Sequence, residues 1–170
     1  MNKNWLVEPL STTKHERKNF RCGVEVLDNY LKKQASIDSK RRFAQVFVLV
    51  DKMKASQILG YYTLSSSSFS KEKLPETKAK KLPHYPVPAV ILGRLAIHSD
   101  LQGQGAGEYL LMDVFYRVLS ASKVMGVYAI VVDAKNERVK TFYESYGFIS
   151  FKNESFRLFI TLKTLEELGN

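Results

Sequence analysis

The segment that decides the fold reads Leu92-Gly93-Arg94-Leu95-Ala96-Ile97-His98-Ser99-Asp100-Leu101-Gln102-Gly103-Gln104-Gly105-Ala106-Gly107. Its first half is apolar and predicts a strand, and its second half alternates glycines that lead directly into a helical pattern. Such a turn presents successive backbone N–H groups at the start of a helix, where the helix dipole also favours anions. The segment therefore predicts a phosphate or pyrophosphate site, with a flexible turn as the alternative.

The spacing of these glycines excludes two common phosphate-binding loops. No Gly-Lys-Ser/Thr follows them, so the loop is not of the Walker type. They fall as G-x-G-x-G without the acidic residue of the dinucleotide fingerprint at its usual spacing, which excludes that fingerprint as well. The predicted anion site therefore belongs to neither class.

A second segment, Asn136-Glu137-Arg138-Val139-Lys140-Thr141-Phe142-Tyr143-Glu144-Ser145-Tyr146-Gly147-Phe148, predicts a short helix that Gly147 ends at the C′ position. Asn136 and Tyr143 are separated by two helical turns, so they lie on one face. A phenol with a pKa of about 10 can protonate a departing thiolate with a pKa of about 8.5 when the two are within hydrogen-bond reach. Taken alone, however, the segment favours the simpler interpretation that its aromatic residues are core residues.

The remaining pattern alternates strands and helices and predicts an α/β (α+β) fold in a single domain of residues 1–170. The predicted strands are Trp5–Leu10, Ala44–Val50, Gln57–Leu64, Ala89–Ile97, Val127–Asp133, Phe148–Lys152 and Phe156–Leu162. The predicted helices are Val24–Asp38, Glu108–Ser122 and Asn136–Tyr146. Residues 65–88 hold a serine run, five lysines and four prolines, which predicts a long loop with room for a short helix.

Composition excludes several classes of protein. Apolar residues make up 45% and charged residues 25% of the 170, which argues against disordered and fibrous proteins. No apolar run approaches the roughly 20 residues that a membrane span needs, and no signal peptide is visible. One cysteine excludes an intrachain disulfide, and no His, Asp or Glu spacing indicates a metal site. We expect a cytoplasmic protein without a metal.

The charge is distributed unevenly along the chain. The net charge is +9, and residues 1–91 carry 17 basic and 8 acidic side chains, whereas residues 92–170 carry 9 of each. Such an asymmetry suggests an anionic partner such as nucleic acid, and a basic surface without a partner is the alternative. The basic side chains that we expect to contact RNA are Lys32, Lys33, Lys40, Arg41, Arg42 and Arg94.

Taken together, Gln102-x-x-Gly105-x-Gly107 and Asn136-x-x-Val139-x-x-x-Tyr143-Glu144-x-x-Gly147-Phe148 resemble the GNAT superfamily of N-acetyltransferases, over essentially the whole chain. The resemblance implies a mixed central sheet with splayed parallel strands flanked by helices, acetyl-CoA as the acetyl donor, and Tyr143 as the catalytic acid. It also implies a set of residues that contact CoA. These are Leu95, Ala96, Ile97, Gln102, Gly103, Gln104, Gly105, Ala106, Gly107 and Asn136.

A narrower resemblance rests on Phe20-x-Cys22-Gly23-x-x-x-Leu27-Asp28-x-Tyr30-Leu31-x-x-x-Ala35, Gly60-Tyr61-Tyr62-Thr63-Leu64-Ser65 and Leu92-Gly93-Arg94-Leu95-Ala96. These motifs are similar to those of acetyltransferase toxins that acetylate the amino group of aminoacyl-tRNA and are held by a ribbon-helix-helix antitoxin. The chain departs from the family at Gln104, where a basic residue is frequent, and at Val139, where a small residue is usual. It departs again at Ile97-His98, where an acid often follows a valine.

Several assignments stay open at the level of sequence. The chain is either a tRNA-acetylating toxin, an ordinary GNAT enzyme acting on a small amine, peptide or protein, or an RNA-binding module with a vestigial CoA site; a homodimer is a further open point. Arg94 contacts CoA, contacts the acceptor RNA, or pairs with an acid. His98 is better explained as a loop residue than as a base, and Cys22 is better explained as a packed side chain than as a nucleophile. The serines at 65–68 either line an acceptor channel or end a strand.

Overall fold

The structure of the protein is a computed structural model that describes residues 4–169. The strands are β1 (Trp5–Pro9), β2 (Gln45–Asp51), β3 (Gly60–Phe69), β4 (Val87–Ile97), β5 (Ala129–Asp133), β6 (Ile149–Phe151) and β7 (Glu154–Thr161). The α-helices are α1 (Glu25–Asn29), α2 (Ala35–Arg41), α3 (Glu76–Ala79), α4 (Ala106–Ala121), α5 (Glu137–Glu144) and α6 (Leu162–Leu168). A π-helical turn (Tyr30–Gln34) joins α1 to α2, and 3-10 turns occupy Lys71–Lys73 and Ser99–Leu101.

The chain divides into two compact units. The first unit comprises the residues up to Ser65 together with Leu92–Tyr116, and the second comprises Ser66–Ile91 together with the residues from Arg117 onward. In the first unit, the strand order is β1, β2, the N-terminal part of β3 and the C-terminal part of β4. In the second unit, the order is the C-terminal part of β3, the N-terminal part of β4, β5, β7 and β6. The predicted class, a mixed sheet with flanking helices, is confirmed.

In the sheet of the first unit, β1, β2 and β3 pair antiparallel with their neighbours in this order. The predicted hairpin is confirmed, because β2 pairs antiparallel with β3 in a register that places Phe47 opposite Tyr62, and their rings stack with centroids 5.1 Å apart. On the other side β1 pairs with β2, with Val7 opposite Leu49. One face of the sheet buries Val48 and Tyr61 in the core of this unit. Aromatic and β-branched residues suit such half-buried pleated surfaces.

The predicted helix at residues 24–38 forms, but it is longer and less regular than predicted. It begins at Glu25, ends at Arg41 and contains the π-helical turn, in which the Ala35 N–H donates to the Tyr30 carbonyl five residues earlier. The wider turn lets the neighbours Tyr30 and Leu31 both be buried. Leu27, Leu31 and Ala35 face the core as predicted, whereas Val24 is exposed.

The long loop predicted at residues 65–88 is wrong at both ends. Strand β3 starts at Gly60 rather than at Gln57 and continues through the serine run to Phe69, and β4 already begins at Val87. Phe69 is the reason that the serines can extend the strand, because its buried ring packs edge-on against Phe151 at 5.0 Å. The remaining 70–86 connection holds a 3-10 turn and α3, which is the short helix that the sequence allowed.

The second unit packs α5 and α6 with the strands β5 and β7. Strand β5 pairs antiparallel with β7, Val131 lying opposite Phe159, and both side chains are buried. At the end of α5 the Phe148 N–H donates to the Tyr143 carbonyl and the Gly147 N–H to the Glu144 carbonyl. This is the Schellman pattern, and Gly147 has the left-handed φ of 102° that its C′ position requires. Within residues 4–169, no helix is both long and apolar enough to cross a membrane.

Candidate active site

The glycine loop leads from β4 into α4, as predicted. Gly103 and Gly105 have φ values of 78° and 84°, which residues with a side chain rarely adopt. A Cβ added to either glycine would meet no heavy atom within 4 Å, so open space lies beside the backbone on that side. The Tyr109 N–H donates to the Gly105 carbonyl as the first bond of α4. The N–H groups of the first helical turn, residues 106–108, therefore have no partner inside the helix and are oriented to bind an anion.

The two glutamines of the loop stabilise its shape. Gln102 Nε2 donates to the Cys22 carbonyl at 2.7 Å and to the Ile97 carbonyl at 3.0 Å. Gln104 Nε2 donates to the Asp100 carbonyl at 3.1 Å. The resemblance placed both residues among those that contact CoA, and in the structure their side-chain amide nitrogens bind carbonyl groups of the protein itself. Gln102 thereby fastens the loop to the end of β4 and to the segment before α1.

Strand β4 supplies the second element of the predicted CoA site. Ala96 is buried in the core of the first unit, whereas its neighbours Leu95 and Ile97 are half-buried, which is the alternation expected along a strand. At Gly60 a Cβ would come within 2.9 Å of the Ala96 carbonyl oxygen. The glycine of the Gly60-Tyr61-Tyr62 motif is therefore required for the close approach of β3 to β4, a role that the sequence alone did not reveal.

Helix α4 is anchored to the sheet of the first unit by two hydroxyl groups. Tyr109 donates to the Trp5 carbonyl at 3.1 Å, and its ring packs edge-on against the Trp5 ring. Tyr62 donates to the Asp113 carboxylate at 2.6 Å. Because these bonds join α4 to β1 and β3, they fix the direction in which the N-terminus of the helix presents its amides.

Helix α5 carries Tyr143, the predicted acid. Tyr143 is 6% exposed and is the buried residue of this helix, packed between Phe142 and Phe148 with ring centroids 5.3 and 5.2 Å away. Burial raises the pKa of Tyr143. The phenol therefore remains protonated at neutral pH, in the form that can donate a proton. The structure agrees both with a packed aromatic residue and with a proton donor.

Asn136 lies just before α5, where its side chain caps the helix. Its Oδ1 accepts a hydrogen bond from the Val139 N–H at 3.0 Å, and its backbone is extended. This is the usual geometry of an N-cap asparagine. The amide nitrogen of the same side chain remains the atom that could contact CoA, so the predicted cofactor role concerns Nδ2 alone.

Arg94 does not lie on the surface with the other cations. Its guanidinium stacks on the Tyr30 ring, 3.5 Å from the centroid. The Tyr30 hydroxyl donates to Asp38 Oδ2 at 2.8 Å, and Gln34 Nε2 donates to Asp38 Oδ1. The hydrogen bonds from Gln34 and Tyr30, together with the charge of Arg94, lower the pKa of Asp38. Arg94 thus connects β4 to the π-helical turn. Of the three roles that the sequence left open, this is closest to pairing with an acid.

The five predicted RNA-contacting cations of the first helical region have different environments. Lys33, Lys40, Arg41 and Arg42 are exposed. Lys32 is half-buried and lines a cavity of about 460 Å³. The other residues that line this cavity are Arg21, Gly23, Glu25, Asp28, Asn29, His98, Ser99 and Asp100.

His98 and Cys22 are packed residues, as the sequence favoured. His98 is buried, its ring lies edge-on to Phe20 at 5.8 Å, and its Nδ1 accepts a hydrogen bond from the Asp100 N–H. Burial and a hydrogen bond with Asp28 raise the pKa of Cys22 to about 11, so the thiol is protonated and unreactive at neutral pH. In the part of the chain that the structure describes, no three His, Cys, Asp or Glu side chains are grouped to hold a metal.

A glycine loop that opens onto amides without a partner inside the helix, after a strand with a half-buried face, is suited to bind the phosphates of a nucleotide-linked ligand such as an acyl-CoA. A family model described as acetyltransferase (GNAT) domain matches residues 42–150. The chain therefore belongs to the GNAT acetyltransferase family.

Two known proteins, one of them represented by two structures, are similar over most of the chain. A tRNA-acetylating toxin of Mycobacterium tuberculosis is 29% identical, with 88% of each chain covered. The structure of AtaT complexed with acetyl-methionyl-tRNAfMet has a TM-score of 0.91 at 35% identity and covers 98% of this chain and 99% of its own. A tyrosine-to-phenylalanine mutant of AtaT, bound to acetyl-CoA and the C-terminus of the antitoxin AtaR, has a TM-score of 0.84 at 31% identity, with 99% of each chain covered.

Proposed function

We propose that this protein transfers the acetyl group of acetyl-CoA to the α-amino group of aminoacyl-tRNA, and so acts as the translation-inhibiting toxin of a toxin–antitoxin pair. The observation that carries the proposal is the similarity, over 98% of the chain, to AtaT in complex with acetyl-methionyl-tRNAfMet. The concentration of the positive charge in residues 1–91 supports a nucleic-acid substrate. A protein that uses charged tRNA would act in the cytoplasm.

The proposed acetyl-CoA site begins at the glycine loop. The amides of Gly103 to Gly107 and of the first turn of α4 bind the pyrophosphate, because they are oriented donors beside open space. The backbone of Leu95, Ala96 and Ile97 meets the pantetheine and stabilises the oxyanion that forms at the acetyl carbonyl. Bound acetyl-CoA supplies a thioester carbonyl that an amine can attack. Gln102 and Gln104 are positioning residues in this scheme, and Asn136 contributes its Nδ2.

Tyr143 is the proposed acid. The amine nitrogen forms a bond to the acetyl carbon, the C–S bond breaks with its electron pair on sulfur, and the phenol gives its proton to that thiolate. The amine loses its extra proton to water, and an aminoacyl ester amine is partly neutral near pH 7 without a dedicated base. Holding the two reactants together contributes through proximity. The buried, protonated state of Tyr143 supports this assignment.

The partners of the protein are part of the same proposal. The exposed cations Lys33, Lys40, Arg41 and Arg42 attract the tRNA backbone, and the half-buried Lys32 and Arg94 lie in the same unit. A small ribbon-helix-helix antitoxin would hold the toxin inactive, in line with the AtaT complex with AtaR. We propose further that the whole chain forms one acetyltransferase domain, since the similar toxin structures cover nearly all of it.

The test measures acetyl transfer from radiolabelled acetyl-CoA to charged tRNA, to free amino acid amides and to a lysine peptide. We expect transfer to charged tRNA to exceed transfer to the other amines and to weaken with salt. The charge requirement is tested with Arg41→Ser/Arg42→Ser, against Lys52→Ser/Lys54→Ser as a control that removes two exposed positive charges elsewhere. The first variant should make the negative slope of log K against log[salt] shallower by about 0.7–0.9 for each lost contact.

Two results would contradict the proposed activity, and a third would contradict the role of the basic cluster. Equal transfer to charged tRNA and to simple amines would favour an ordinary GNAT enzyme. Binding of tRNA without any transfer would favour an RNA-binding module with a vestigial CoA site. If the Arg41/Arg42 variant and the control variant gave parallel salt curves, the basic cluster would be a solvated surface.

A further inference from the structure

Phe43 is an aromatic side chain left in solvent beside the basic cluster. It is 68% exposed, the highest value among the ten phenylalanines, all of which lie within residues 4–169. A single exposed apolar residue is common on protein surfaces and by itself indicates nothing. The backbone that holds Phe43, and the charges around it, are what distinguish this residue.

The backbone of Phe43 is fixed on both sides. Helix α2 ends in a Schellman pattern, in which the Phe43 N–H donates to the Asp38 carbonyl at 2.9 Å and the Arg42 N–H donates to the Ser39 carbonyl at 3.2 Å. The Phe43 carbonyl accepts a hydrogen bond from Ser65 Oγ at 2.8 Å. An apolar residue at this C″ position usually packs back onto its helix. Here the ring is directed to solvent from a rigid backbone.

The residue before Phe43 is unusual for its position. Arg42 has a φ of 62°, in the left-handed region where glycine is the favoured residue. An arginine therefore occupies a conformation that disfavours it, and its exposed guanidinium lies next in sequence to the ring. Backbone strain of this kind is concentrated at functional sites.

Three exposed cations, Lys40, Arg41 and Arg42, occupy the last turn of α2 and its cap, directly before Phe43. The C-terminal end of a helix also places partly unsatisfied carbonyls there, so the cations are stable in this position without an anion. A fixed, exposed aromatic ring among cations is the composition of sites that bind single-stranded nucleic acid, where bases stack on the ring and phosphates meet the charges.

We propose that the Phe43 ring stacks on an unpaired base at the 3′ end of the tRNA, while Lys40, Arg41 and Arg42 contact the adjacent phosphates. This inference rests on the proposed function, because the 3′ end carries the aminoacyl group. The base must be unpaired, since bases inside a duplex have both faces covered by their neighbours. Stacking tolerates any base, so Phe43 contributes affinity and position without selecting the amino acid.

The experiment uses the full-length protein and a minihelix, an acceptor-stem duplex that ends in the single-stranded 3′ tail. Binding of the uncharged minihelix is measured by fluorescence anisotropy, and acetyl transfer is measured on the aminoacylated one. We expect Phe43→Ala to raise Kd by about 5- to 150-fold. Phe43→Trp and Phe43→Tyr should preserve binding, because they keep an aromatic face. Phe43→Leu should bind as poorly as Phe43→Ala, because leucine retains the apolar area but not the ring.

Two controls separate stacking from other effects. Met53→Ala removes a side chain that is 82% exposed in the β2–β3 connection, and it should leave Kd unchanged. Phe43→Ala should also leave the slope of log K against log[salt] unchanged, since it removes no charge, whereas Arg41→Ser/Arg42→Ser should make that negative slope shallower. Minihelices with one abasic nucleotide at each tail position then identify the stacked base. At that position the abasic change and Phe43→Ala should not add, because they remove the same contact.

The outcomes distinguish this inference from the proposed function. Absence of acetyl transfer by the wild-type protein to any charged minihelix would reject the proposed function. If the wild-type protein transfers acetyl groups normally, but Phe43→Ala and Phe43→Leu bind the minihelix as tightly as wild type, only the stacking site is rejected. An equal loss of affinity in Phe43→Ala for a minihelix without its tail would also reject it. Rescue of minihelix binding by leucine would also reject stacking, because apolar area without an aromatic ring would then be enough.

Discussion

The glycine loop and helix α5 are both parts of the proposed active site, and they differ in whether the backbone or the side chains supply the functional groups. In the loop the functional groups are backbone amides. The sequence indicates them by its glycines, and in the structure Gly103 and Gly105 have φ values of 78° and 84° and open space beside the backbone. In α5 the relevant groups are the side chains of Asn136 and Tyr143, which have an evident structural role as well. A site made of backbone amides can therefore be predicted from one sequence segment. A site made of side chains that also have a structural role can be predicted only when a second, independent segment points to the same function.

The largest effect is expected where the loop backbone is altered. Gly105→Val should abolish CoA binding, because a β-branched residue is strained at a φ of 84° and its Cβ would occupy the open space beside the amides. Calorimetry with CoA measures the effect. Gly126→Val is the matched control, since Gly126 has open space around it and no positive φ. Normal CoA affinity in folded Gly105→Val would refute the phosphate-loop assignment.

The counterpart in α5 removes one hydroxyl group. Tyr143→Phe should keep the fold and the CoA affinity, because the ring still packs between Phe142 and Phe148. The rate of acetyl transfer should fall by roughly 10²–10⁴-fold if the phenol is the acid. Tyr146→Phe, three residues further along, is the control and should turn over normally. Unchanged turnover in Tyr143→Phe would leave the tyrosine as a core residue only, and the contrast between the two regions would disappear.

The sequence predicted the elements with strong local signals and failed where distant contacts decide. Helix α4 and the left-handed Gly147 were predicted from periodicity and from a capping glycine, and both are confirmed. The loop at 65–88 was predicted too long, because a serine run has weak strand propensity and Phe69 extends the strand by packing on Phe151. Tertiary packing outweighed local preference in that segment.

The same limit applies to the candidate site. The assignment of Gln102 to the cofactor stays a prediction, but its side-chain amide donates to the Cys22 carbonyl, a partner 80 residues away that no local pattern reveals. The π-helical turn was also missed, since its stabilising contacts come from Arg94 on β4 and from the Tyr30 hydroxyl. The loop itself was identified because glycines at left-handed positions are a local requirement.

A smaller effect separates the two roles of Asn136. Asn136→Ala removes the N-cap bond to Val139 and should lower the free energy of unfolding by about 0.5–2 kcal/mol. Asn136→Ser keeps a capping oxygen and should recover most of that stability, but it lacks Nδ2. Thermal unfolding and CoA calorimetry are measured on both variants. Weak CoA binding in a stable Asn136→Ser protein would confirm a cofactor contact, whereas normal binding would restrict Asn136 to capping.

The last prediction is the absence of a change, and it depends on the protonation state of Tyr143. The amine reacts in its neutral form, so the transfer rate should rise with pH through the pKa of the amine and then reach a plateau. The phenol donates in its protonated form, and burial raises its pKa, so loss of the donor moves to higher pH. An ordinary phenol with a pKa of about 10 would be roughly a quarter ionised at pH 9.5.

The plateau should therefore extend to pH 9.5 without a fall in rate. The substrate is a minihelix whose amino acid is joined by an amide instead of the ester, because the ester hydrolyses in base. Tyr143→Phe should show the same rise at a lower rate, since the rising limb belongs to the amine and not to the protein. A decline between pH 8.5 and 9.5 that is present in wild type and absent in Tyr143→Phe would show that the phenol titrates early. In that case burial would not keep the Tyr143 phenol protonated. The hydroxyl of α5 would then be accessible to solvent, as the amides of the loop are.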